Sequence, residues 1–157
     1  MDRLFEIYNE LSDQGVRLYD YRIEGSLAAT IEMGGKYAVF LDASQIESSS
    51  EERCVVAHEA GHIMTGSTHS VYSPLQIIQQ KENKADRWAI RKLIPPADLQ
   101  TALNNGITEI WALAEHFDVT EDFMKKACEL YIHRLDLIKE KDRPGRQPEA
   151  VSYGVDD

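Results

Sequence analysis

The sequence predicts an α+β fold, mainly helical, with a small sheet of about three strands near the N-terminus. Three observations carry this. Strand-like material is confined to residues 16–42. From Ser48 to about residue 139 the apolar residues recur at helical period. The length of 157 residues and the apolar share of 43% suit one globule with a sizeable core.

Residues 3–13 put Leu4, Ile7, Tyr8 and Leu11 on one stripe, a first helix ended by Gly15. Val16–Ile23 alternates in part, as a strand does. LAATIEMGGKYAVFLD then reads as two strands joined by a two-residue turn at Gly34-Gly35. SSSEE provides overlapping capping boxes, Ser48 or Ser49 with Glu51 or Glu52, opening a helix over about 50–65 that Gly66 stops. Ser73-Pro74 reads as N-cap and first helical residue of a helix over about 75–93, closed by Pro95-Pro96. Helices over 97–104, 107–116 and 120–139 follow, divided at Asn104-Asn105-Gly106 and Asp118-Val119-Thr120. We expect a single domain over 1–140, its last part formed by the helices of 97–139. DRPGRQPEAVSYGVDD, residues 142–157, reads as a flexible tail.

The formal charge of −10 argues against broad contact with a phosphate backbone, so no direct nucleic-acid binding is expected. No run of 18 apolar residues exists, and the polar start MDRLFEIYNELSDQ lacks a signal core. A cytoplasmic protein without membrane contact is the expectation. Cys54 and Cys128 fall on apolar helical faces and read as reduced, buried thiols.

Chemistry concentrates in VVAHEAGHIMTG, residues 55–66. Cys54, Val55, His58, Gly61, His62 and Thr65 share a stripe, while Val56, Ala60, Ile63 and Met64 make the other side apolar. A helix apolar all round is buried. His58 and His62, one turn apart, then reach one metal ion from one rigid support. Glu59 projects about 100° further round, where it reaches a water rather than the ion.

On the next helix the inward stripe runs Ile78, Glu82, Ala85, Asp86, Ala89. Carboxylates on such a face need a cation or a donor. If Glu82 is the third ligand, Asp86 accepts the free N–H of a ligating histidine. Two histidines, one carboxylate and a water make an open zinc site of the catalytic type; the donors also suit manganese or iron. Two competitors stand beside this set. Cys54 is the candidate fourth ligand of a closed site. His69 competes as third ligand, since HEAGHIMTGSTH approximates H-E-x-x-H-x-x-G-x-x-H with glycine and histidine one residue late.

HEAGH (58–62), ENKAD (82–86) and the following WAIRKLIPPADL resemble the ImmA/IrrE family of zinc-dependent peptidases over roughly residues 30–130. The resemblance implies a zincin-like metallopeptidase domain with one Zn²⁺ bound by His58, His62 and Glu82, and Glu59 as catalytic base. It implies a protein substrate, a helix-turn-helix transcriptional repressor of a phage or mobile element. His69 and Tyr72, on the loop between the metal-bearing helices, are candidates for oxyanion or substrate contacts. Strand 36–42 is expected to border the cleft and pair with the substrate backbone. WALAEHFDVTEDFMKKACELY (111–131) imitates a helix-turn-helix with Ala114, Val119 and Phe123 as core, but its second helix opens Thr120-Glu121-Asp122, wrong for DNA. It reads as a corner of the peptidase core. The alternative function is a metal-bearing antirepressor that sequesters such a repressor without cutting it.

Overall fold

The computed structural model describes residues 2–141, with side chains up to residue 133; the expected tail of 142–157 lies outside the described residues. Helix α1 (Arg3–Asp13) is capped by the Asp2 carboxylate, which accepts from Leu4 N at 3.0 Å. Its predicted stripe is the buried one: Ile7 and Leu11 sit in the core, and Leu4 and Tyr8 pack against it. β1 (Arg17–Asp20) is shorter than the alternation implied. The chain leaves the sheet after Tyr21, and Ile23 N donates to the Asp42 carboxylate instead of to a strand.

β2 (Ala28–Met33) and β3 (Lys36–Leu41) form the expected hairpin, with Gly34 and Gly35 at φ 60° and 77°, a turn that L side chains resist at both positions. The sheet order is β1-β3-β2, with β3 parallel to β1 and antiparallel to β2. Strand 36–42 is therefore central, paired on both sides, and cannot receive a substrate backbone. The outer edge of β2, by contrast, is free in this sheet.

Ser48 caps α2 (Ser49–Met64) by accepting from Glu51 N at 3.1 Å, while the Glu51 carboxylate reaches back to Glu47 N at 2.8 Å. α2 is buried nearly all round, as its sequence requires, with Val56, Ala57 and Ala60 fully inaccessible. α3 (Leu75–Leu93) starts after Pro74, and no side chain caps it, so Ser73 does not play the capping part its sequence position implied. Pro96 opens α4 (Pro96–Asn104) as well as ending the chain's previous turn, since its missing N–H is one of the orphans at a helix start. α5 (Ile110–Phe117) begins three residues later than the expected 107. Asp118, in the left-handed region at φ 51°, turns the chain into α6 (Glu121–Lys141).

Ala114, Val119 and Phe123 are core residues, as predicted. The Asp118 carboxylate receives Ser50 Oγ and Arg53 Nη2 from α2, so the α5–α6 corner is bolted to the metal-bearing helix. Among the described residues, six helices and a three-stranded sheet make an α+β domain, mainly helical as predicted. No helix among the described residues is long and apolar enough to cross a membrane.

Candidate metal centre and active site

α2 and α3 meet at a glycine. A Cβ on Gly61 would stand 2.5 Å from Ala85 O and 2.9 Å from Ala85 Cα, closer than atoms can approach. Hydrogen at position 61 therefore lets the two backbones nearly touch. That contact lays His58 and His62 directly over the α3 stripe that carries Glu82 and Asp86.

The side chains converge. His58 Nε2 lies 3.1 Å from His62 Nε2 and 2.9 Å from Glu82 Oε2, and His62 Nε2 is 3.2 Å from Glu82 Oε1. The two rings stand perpendicular with centroids 4.7 Å apart. Ligand atoms from His58, His62 and Glu82 all lie within 4.8 Å of one another. The outer nitrogens are committed. His58 Nδ1–H donates to Asp86 Oδ1 at 2.8 Å, and His62 Nδ1–H donates to the Ser67 carbonyl at 2.9 Å. With Nδ1 protonated, each neutral ring turns an Nε2 lone pair inward. Two lone pairs and a carboxylate at this spacing repel one another unless a cation lies between them. The N, N, O donor set with locked tautomers thus fits a divalent ion such as zinc, manganese or iron.

The same neighbours set the charges of the site. Burial works against a charged His58, but the Asp86 carboxylate, with Glu59 and Glu82 behind it, outweighs burial and holds the imidazole above its ordinary value. Burial likewise opposes ionised Glu82 and Asp86. The His69 hydrogen bond and the neighbouring imidazoles nevertheless hold Glu82 below the usual carboxylate range, and His58 and Lys126 do the same for Asp86. Both acids remain anionic at neutral pH, as ligand and ligand support require.

Glu59 is buried at 8% exposure and faces β2, where Thr30 Oγ1 donates to its Oε2. One carboxylate oxygen is thereby tied and the other is left for chemistry. Thr30 was not visible in the sequence as a site residue: a threonine within AATIEM reads as any β-branched strand position. Lys126, which reaches Asp86 Oδ2 at 3.4 Å from α6, was equally unmarked. A cleft of about 630 Å³ opens over the centre, bounded by the 26–30 segment, the Thr68–Val71 loop, α2, α3, and Phe123 and Lys126 of α6.

His69 lines this cleft, and its Nε2–H donates to Glu82 Oε1 at 2.6 Å. It meets the carboxylate rather than joining the convergent set of His58, His62 and Glu82. Tyr72 is 93% exposed and does not line the cleft, which Val71 of the same loop does. Cys54 also lines the cleft, but its Sγ contacts Thr120 Oγ1 at 3.9 Å and burial pushes its thiol up, away from the thiolate a metal needs. It is outside the ligand set.

The β2 edge completes the cleft. Asp42 N donates to Leu27 O at 2.9 Å, which sets the alternation of the antiparallel ladder. Residues 27, 29, 31 and 33 bond towards β3, and the main-chain N–H and C=O of Thr30 and Glu32 point to the open side. An extended peptide can pair there, next to Glu59.

No curated protein matches the chain. A family model described as the IrrE N-terminal-like domain of Peptidase M78 matches residues 7–129, most of the chain and all of the centre described above. The chain belongs to the Peptidase M78 family and is a metallopeptidase of the ImmA/IrrE kind, acting on protein substrates.

Proposed function

We propose that this protein is a zinc-dependent endopeptidase that hydrolyses a peptide bond in a regulatory protein, a helix-turn-helix repressor of a phage or mobile element. The convergence of His58, His62 and Glu82 beside a buried Glu59 carries the enzymatic part. The repressor rests on the resemblance to ImmA/IrrE peptidases.

His58, His62 and Glu82 hold the ion. When bound, it supplies Lewis acidity to the scissile carbonyl and lowers the pKa of a water towards neutrality. Asp86 and the Ser67 carbonyl fix both histidines in the ligating tautomer. The substrate lies extended along the β2 edge, its backbone paired with Thr30 and Glu32. Glu59, with Oε2 held by Thr30, takes the proton of the attacking water on Oε1 and passes it to the leaving amine. His69, whose Nε2–H is held by Glu82 Oε1, is a substrate contact on the loop over the centre, and Tyr72 is a substrate contact at the rim.

The test is incubation of the zinc-loaded protein with a helix-turn-helix repressor from the same genome, wild type against Glu59→Gln. Loss of a general base costs about 10²–10⁴ in rate, so fragments form with wild type only. If both proteins release operator DNA without fragments, the chain is an antirepressor and the proposal fails.

A further inference from the structure

A second concave feature lies on the far side of α3. At 100° per residue, Glu82 and Asp86 look into the centre, whereas Lys84, Arg87 and Arg91 point the opposite way. With Trp88, Lys92 and Thr65 they line an open groove of about 710 Å³. Every charged residue lining it is a cation, in a chain with 27 acidic and 17 basic residues. Lys92 is neutralised by Glu6 and Glu10 of α1. The ion pairs among the described residues leave out Lys84, Arg87 and Arg91, three cations that share this groove, and Arg87 Nε donates to the Asn83 carbonyl at 3.2 Å. Arg87 and Arg91 are one turn apart, a like-charge pair that weakens an isolated helix.

We propose that this groove is a docking site for an acidic peptide segment of a partner protein. Guanidinium forks at Arg87 and Arg91 match carboxylates in paired geometry, and the half-buried Trp88 adds an apolar wall to the groove. From Lys84 to Arg91 the face runs about 10 Å, room for roughly three residues of extended peptide. A nucleic acid fits less well. Its charges continue past so short a patch and meet a molecule of net charge −10 within a Debye length of about 8 Å. The groove faces away from the cleft, so a docked segment leaves the cleft open to another part of the same chain. The docking stands whether or not the cleft is catalytic.

The experiment titrates a fluorescein-labelled octaglutamate peptide with the full-length, zinc-loaded protein, read by anisotropy at about 50 and about 300 mM salt. Saturable binding that weakens with salt is expected. Arg87→Glu/Arg91→Glu should weaken it by about tenfold or more, and the milder Arg87→Gln/Arg91→Gln by less. Arg17→Glu/Lys36→Glu, the same change in charge elsewhere, should leave it unaltered. Absence of saturable binding, an equal loss with the control pair, or equally tight binding of an oligothymidylate of the same charge would overturn the proposal.

Discussion

At the scale of single residues, the centre depends on groups that hold other groups. Thr30 is the clearest. Its hydroxyl fixes one oxygen of Glu59 from a strand 29 positions away in sequence. Thr30→Val keeps the shape and removes the donor, so turnover of a cleavable substrate should fall by about tenfold. KM and bound zinc should stay unchanged, and Thr30→Ser should restore turnover. An equal loss in both variants would mean that Thr30 matters only for packing. The convergence of His58, His62 and Glu82, with Asp86 behind His58, was foreshadowed in the sequence, because these are polar groups at one-turn spacing on faces otherwise apolar. Thr30 and Lys126 were not. Their roles arise from which element lies opposite, and no local pattern records that.

Among the elements, the α2–α3 crossing governs the rest. Gly61 would ordinarily be a weakness in a helix interior, at roughly 1 kcal/mol relative to alanine. Here it permits the backbone contact with Ala85 that brings ligands from two helices together. Gly61→Ala should therefore reverse the usual sign. Helix propensity improves, yet the forced separation destabilises by about 1–3 kcal/mol. A lower Tm together with weakened zinc binding checks this, and a raised Tm with full zinc content would refute it. The elements were largely readable from period and caps: α2, α3 and the Gly34-Gly35 hairpin fall where expected. Strand order was not. Two strands joined by a tight turn look alike in sequence, and only the parallel docking of β1 against β3 decides that β2 is the edge.

For the whole molecule, folding is linked to two small ions. The proposed ligand set comes from two helices, so a metal ion held there would bind the native chain and not the unfolded one. A chelator should lower Tm; zinc at about 100 times its Kd contributes on the order of 3 kcal/mol, several degrees for a domain of this size. An unchanged Tm would argue against a bound ion.

The second ion is the proton. Asp42, buried at the end of β3, accepts from Ser44, Gln45 and Ile23 N, and these bonds bring its pKa down to about 2 from 3.8. Because the folded value is the lower one, the carboxylate stabilises fully above the ordinary range. That contribution fades as pH falls from about 4 to about 2. Melting curves across this window should show wild type losing its advantage over Asp42→Asn. A constant gap would contradict the linkage.

The partner of His62 has a practical consequence. Its nearer partner is the main-chain oxygen of Ser67 at 2.9 Å, with the hydroxyl of the same residue at 3.4 Å. Alanine scanning of the 65–74 loop removes the hydroxyl but leaves the carbonyl in place, so it tests only the weaker of the two contacts. Changes to the path of the chain, an inserted residue or a proline at 68, will reveal the role of the carbonyl, so the length of the loop is constrained as well as its residues.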